Sequence, residues 1–266
     1  MNAAAPHRDW HRHTPRESLW RFVVQLLIAM VVVWSAWGLD IYWPFLLDAP
    51  PTVVDLARRM FPPDWAFFYV IIDPMIETIN IATLGTILAV FMAFPVSVLA
   101  ARNTTPNAAT YWLGRLIVVS SRSVNELVWG LIMVVIFGPG ALAGVTAIAL
   151  RSVGFTAKLI AEAIEEIDHG QVEAIEATGA NRAVVFFYGI VPQIMPAFWG
   201  VTVFRWDINI RQSSVIGLVG AGGIGIVLNS AMNLFRWDHV TVILIAIFAV
   251  VLVSEAVSAT LRAKYT

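Results

Sequence analysis

Apolar residues in this chain run in long blocks rather than alternating or following one narrow stripe. Blocks at 19–39, 78–101, 113–137, 141–160, 190–203 and 240–261 are separated by polar islands. A hydrocarbon core of roughly 30 Å takes about 20 helical residues, so most of these blocks can span a bilayer. The fifth is short, but it gains spanning length if the semi-polar stretch 204–214 continues the helix while facing protein. Helices satisfy their own backbone hydrogen bonds inside lipid. The pattern therefore predicts an all-α membrane protein, a six-transmembrane-helix bundle. Residues 1–18 read as a polar tail and 19–39 as the first transmembrane helix. Residues 40–74 read as an outer loop rich in proline and aromatics, with interfacial stretches, and 75–266 as one compact transmembrane domain. Gly138-Pro139-Gly140 cannot continue a helix and predicts a tight outer turn that makes the third and fourth spans neighbours. Small residues at four-residue spacing, Gly85, Ala89 and Ala93, then Gly140 and Gly144, suit close helix approach.

Composition sharpens this reading. The chain of 266 residues is 59% hydrophobic and 13% charged, about half the charge of an ordinary soluble domain, with mean hydropathy +0.76. A net charge of −1 offers no bulk field for nucleic acid, and the absence of cysteine excludes disulfides and thiolate metal sites. The first run is longer than a signal-peptide core and lacks a small-x-small cleavage site before Asp40, so it reads as an uncleaved helix. Lys and Arg set the orientation. Arg8, Arg12, Arg16 and Arg21 precede the first helix, Arg102 and Arg115 follow the second, Lys158 and Arg182 edge the main polar island, and Arg262 and Lys264 close the chain. The 40–74 stretch instead carries Asp40, Asp48, Asp55, Asp64 and Asp73 against Arg58 and Arg59. Both termini and the polar island are thus expected in the cytoplasm, with the chain in the inner (plasma) membrane. His7, His11 and His13 in the tail read as solvated, since no helical or strand frame fixes them as metal ligands.

The polar island asks what it is for. Glu162, Glu165, Glu166, Asp168 and His169 lead to Gly170 and a new helical pattern from Val172. Glu173, Ala174, Ala177 and Ala180 share one face of a short helix, with Gly179 where a missing side chain permits close approach. Physics alone leaves two readings open, an amphipathic connector and a small-faced helix that docks in a groove of another protein. Glu173-Ala174-Ile175, then Gly179, nine residues, then Gly189-Ile190-Val191-Pro192 resembles the EAA signature of ABC importer permeases. Ile175 stands where that signature has alanine, Gly189 where it has isoleucine and Val191 where it has leucine; the spacing is intact. The resemblance implies a type I ABC importer permease fold (MetI-like) with a cytoplasmic coupling helix at about 171–185. Glu173, Ala174, Ala177 and Gly179 would meet an ATPase, and Pro192 would open the next membrane helix.

Ionisable groups at membrane depth line a path, face a cavity or pair with one another. Arg122, Arg151, Arg205 and Arg211, with Glu77 and Glu126, fit an anion path and fit structural pairing equally, and Arg122 with Glu126 sit four apart as for a salt bridge on one helix face. The segment 204–225 is similar to the phosphonate-importer permease subfamily. So are Arg122-Ser123-Val124-Asn125-Glu126-Leu127-Val128-Trp129, Glu77-Thr78 with Leu84-Gly85-Thr86, and Gly138-Pro139 with Leu142-Ala143-Gly144. That similarity implies an oxyanion path of Arg122, Glu126, Arg151, Arg205, Asn209, Arg211 and Glu77. Gly220, Gly222 and Gly225 spell the dinucleotide fingerprint, but it lies between membrane helices without a βαβ setting. With Gly223 it reads instead as a packed re-entrant loop near the outer gate.

Together these resemblances imply the permease subunit of an ATP-driven importer of phosphonates or related phosphorus oxyanions such as phosphite and phosphate. It would work as a homodimer with two copies of a cytoplasmic ATPase and a periplasmic binding protein, in membrane lipid. ATP and Mg would sit on the partner: the chain has no phosphate loop of its own and is expected to carry no cofactor, metal or catalytic activity. Competing expectations are a permease of the same architecture for another solute such as methionine, a proton-driven transporter using Glu77, Glu126 or Glu255, and a membrane anchor whose arginines only staple helices.

Overall fold

The computed structural model describes residues 15–39 and 44–265; the tail histidines His7, His11 and His13, and Asp40, lie outside the described residues. The chain divides at Leu56/Ala57 into two compact units. The first holds α1 (Pro15–Gly38), apolar on every face as a helix within lipid must be, and most of α2 (Pro44–Met60). Much of the expected 40–74 loop is therefore helical. α2 has an amphipathic sequence, and the next helix starts at Phe68, before the residue 74 boundary read from the sequence.

The second unit is a bundle. α3 (Phe68–Ala100) leads to α4 (Ala108–Ser123) and α5 (Glu126–Phe137), and the turn 138–140 leads to α6 (Ala141–Glu165). After α6 come α7 (His169–Glu176) and α8 (Arg182–Val185), then α9 (Val191–Ile216), α10 (Ile224–Asn233) and α11 (Trp237–Tyr265). α3 and α6 make the broadest contact and run parallel in constant register. Gly85 of α3 meets Ile148, and 17 residues further on each chain segment the Arg102 amide donates to Glu165, a separation of 63. α9 runs back between them, as Phe94–Phe198 and Thr86–Asn209 contacts show, and α11 antiparallel to α9 places Ser254 on Asp207. The core is largely small: Ala82, Ala89, Ala93, Ala143, Ala147 and Ala157 are buried, with Ile81, Ile148, Ile160 and Ile164 as the larger fillers. Small faces bring helix axes close where lipid supplies no hydrophobic drive between helices.

Among the described residues, five helices are long and apolar enough to cross a membrane, or six if the bent pair α4–α5 is one span. The 113–137 block is therefore not one continuous helix: it bends by 93°. Val124 is extended at φ −94°, ψ 132°, and Asn125 starts α5 by accepting from the Leu127 amide at 2.9 Å. An asparagine N-cap outcompetes helix continuation there because its side chain satisfies a free amide at the new helix start. The short fifth block does lengthen as expected: Arg205, Asp207, Asn209, Ser213 and Ser214 are buried in α9, so its polar half faces protein.

Candidate functional site

Two regions concentrate polar side chains on this apolar frame. One lies where α6 turns into α7 and α8. Asp168 caps α7 by accepting from the Gly170 amide at 2.9 Å, and its own amide donates to Gln193 Oε1 at 2.9 Å. Gln193 Nε2 then donates to the carbonyls of Gly189 and Asp168. This single glutamine, one residue past Pro192, ties the corner before α7 to the start of α9. On α7, Val172 and Ile175 turn inward towards Gly189, while Glu173, Ala174, Glu176 and Ala177 are exposed. The acid and the alanines thus form a free face and the aliphatics an anchor. The expected single helix over 171–185 is instead two short helices with a turn between them. Gly179 adopts φ +79° with open space around it, so it serves as the left-handed residue of the turn that follows α7. Ala180 accordingly leaves the α7 face. Pro192 is the second residue of α9, where a missing amide costs nothing.

Behind this corner, Glu165 accepts from the Arg102 amide and lies 3.8 Å from Arg115, and Asn103 donates to the Ile164 carbonyl. The Arg102 guanidinium donates to the Tyr111 hydroxyl at 3.3 Å; that bond, with Glu165 nearby, raises its pKa above the ordinary arginine value.

The second region lies midway along α3, α6 and α9. Arg151 is about 15 Å along α6 from Ala141 and about 21 Å from Glu165 at 1.5 Å per residue. Fully buried Asn209 accepts from Ser152 Oγ at 3.1 Å and donates to Thr86 Oγ1 at 2.8 Å, joining three helices. Arg205, only 3% exposed, donates Nε to the same Ser152 hydroxyl at 3.0 Å and an NH2 to Gln212 at 3.2 Å, and its guanidinium lies over Phe155. Glu126, at the start of α5, lies 3.8 Å from Arg151, and Arg205 feels the charges of both. The break that frees Glu126 is fixed in place by Ser121, whose hydroxyl donates to the α6 backbone at Leu150 and accepts from the Gly154 amide.

The remaining sequence-singled residues do not join this cluster. Arg122 is exposed at the end of α4 and is not paired with Glu126, because the 93° bend separates the two that four-residue spacing would have aligned. Arg211 pairs at 2.5 Å with Asp207, which also accepts from Ser254 of α11, so this ion pair faces the other side of α9. Glu77 lies at the 138–140 end, beside the glycine loop. That loop fills a wedge against α3 and α6. Gly140 donates to the Gly220 carbonyl, the Ile224 amide donates to Thr78, and Gly220, Gly222 and Gly223 all have positive φ. Gly225 packs on Gly217 with no room for a Cβ. A short helix follows the loop and a 3-10 turn precedes it, with no strand among the described residues, so the fingerprint reading is excluded by its setting.

Sequence reading missed Gln193, Ser152, Thr86 and Gln212, since hydroxyls and amides inside apolar runs give no periodic signal. It also missed Asp64, Asp238 and His239, which converge at the start of α11. Arg236 lies 2.7 Å from His239 Nε2 and pairs with Asp238, so a guanidinium already supplies the positive charge at that cluster.

Residues 93–264 match the family described as binding-protein-dependent transport system inner membrane component. The chain is 38% identical over 248 residues, 92% of its length and 90% of the relative's, to the phosphite transport system permease protein PtxC of Stutzerimonas stutzeri. It is 35% identical over 212 residues to the phosphate-import permease protein PhnE of Mycolicibacterium smegmatis, covering 79% of this chain and 40% of that one. A solved inward-facing structure of the MetNI methionine ABC transporter aligns with TM-score 0.66 at 20% identity over 76% of this chain and 99% of the other.

Proposed function

The chain belongs to the family of inner membrane components of binding-protein-dependent transport systems, and on that premise we propose that it carries phosphorus oxyanions, phosphite, phosphate or phosphonates, through an ATP-driven importer. Its own part is the permease. Two copies would form the pore, with both termini and α7 in the cytoplasm, two ATPase subunits beneath and a periplasmic binding protein above. ATP and Mg would act on the ATPase.

The observation that carries this reading is the α7 corner. A short helix whose acid and alanines are exposed, and whose aliphatics and Gln193 fasten it to α9, is a rigid projection suited to a cleft in a partner. A push on α7 passes through the Gln193 bonds directly into a helix that carries Arg205 and Asn209. Closure of the ATPase pair would in this way reach the polar cluster at mid-depth. The cargo class is supported by the relatives named above and by the guanidinium groups there, whose planar donors suit tetrahedral oxyanions.

The test is co-purification with the ATPase and binding protein of the same transport system, followed by reconstitution. Phosphite, phosphate or methylphosphonate with the binding protein should raise ATP turnover severalfold over the unloaded complex. Stimulation by methionine alone, or uptake that collapses with an uncoupler and needs no ATPase, would refute the reading.

A further inference from the structure

We infer that Glu126 is a built-in counter-anion, occupying beside Arg151 in the empty protein the place that a phosphorus oxyanion takes during passage; this rests on the importer reading above. The four membrane arginines are not equivalent. Arg205 is committed to Ser152, Gln212 and the face of Phe155, and Arg211 to Asp207. Arg122 is exposed outside the cluster. Arg151 differs from all three. It sits at mid-depth, its Nε is buried without a hydrogen-bond acceptor, and the carboxylate it faces, Glu126, stands off at 3.8 Å. That separation is a charge contact and not a hydrogen bond.

A bare guanidinium at this depth is costly, and a carboxylate nearby offsets the cost. The fold goes to some length to bring one there. The α4–α5 bend sets Glu126 in the first turn of a new helix, where a carboxylate is favoured, and Ser121 fixes that bend to the α6 backbone on either side of Arg151. Two guanidiniums, those of Arg151 and Arg205, thus face one negative charge there. An oxyanion brings several acceptor oxygens and can take the Arg151 fork bidentately. When it does, Glu126 is displaced; when it leaves, Glu126 returns. Cargo affinity is then the difference between two anions at one cation, which keeps the site from trapping what it must release.

The test measures binding of labelled inorganic phosphite and phosphate to the permease–ATPase complex in nanodiscs, without binding protein. Glu126→Gln should bind more tightly than wild type by about tenfold or more, a gain of about 1.4 kcal/mol. Glu126→Asp should resemble wild type, and Arg151→Gln should remove binding in either background. If Glu126→Gln does not assemble, Glu126→Ala supplies the same loss of charge. Affinity in the neutral variant equal to or below wild type, or binding that survives Arg151→Gln, overturns the inference. Phosphite uptake by the complete wild-type transporter is measured in parallel: its absence removes the importer reading itself, whereas normal uptake without a gain in Glu126→Gln removes only the role given to Glu126.

Discussion

Gly222 holds φ +89°, and a Cβ there would come within 2.9 Å of Glu77 Oε1 and 3.0 Å of the Ala141 Cα. Any side chain meets both a left-handed backbone, costing about 1–2 kcal/mol, and a filled wedge, costing about 1–3 kcal/mol. Gly222→Leu should therefore lower the thermal midpoint of the purified protein by several degrees and abolish uptake, while ATPase co-purification through the distant α7 persists. Unchanged uptake would remove any tight role for the loop. The demand for glycine here was legible, since several glycines together in an apolar chain mark backbone that a side chain would obstruct. The fate of each arginine was not. Residue type gives a guanidinium's charge and donors; whether Arg205 is occupied depends on Ser152 and Phe155 of a second helix, which no sequence spacing brings to it.

At the scale of elements, two departures from the EAA pattern explain each other. Ile175 replaces a small residue and Gly189 a large one, and a Cβ on Gly189 would lie 3.4 Å from Ile175 Cδ1 and 3.6 Å from the Val172 Cα. Volume has moved from the α9 side of the joint to the α7 side. Gly189→Ile alone should overpack it and cut coupled uptake, at about 1–3 kcal/mol of local strain. Gly189→Ile with Ile175→Ala should recover much of the loss, giving a non-additive double-mutant cycle for uptake and thermal stability. Additive losses would show that the two positions do not share a contact. The helix of α7 was legible from the pattern, but it begins at His169 and so places Glu173 past its first turn. The bend between α4 and α5 was hidden because the two apolar stretches on either side of the mostly polar residues 120–126 add up to one span's length, although asparagine followed by glutamate there marks a helix start. The same bend undid the Arg122–Glu126 pairing, which assumed one continuous helix.

For the molecule as a whole, block length and small-residue spacing carried most of the architecture: an all-α bundle, a tight 138–140 turn joining neighbours, and a polar half of α9 turned inward. The order of packing was beyond reach of pattern, because it rests on contacts such as Gly85 on Ile148 and Gly144 on Ile81. These contacts allow α3 and α6 no room to slip past each other by a fraction of a turn, since the surfaces that meet are backbone and a branched side chain. On the proposed importer reading the pair would then be a fixed post against which α5, α7 and α9 shift. Amide hydrogen exchange should accordingly be slowest across 81–93 and 144–157 and stay slow whether nucleotide is bound to the partner or not, whereas protection around 124–128 should change with the cycle. A compound that wedges between α3 and α6 would dismantle the protein, while one lodged at the α4–α5 elbow would stall it intact.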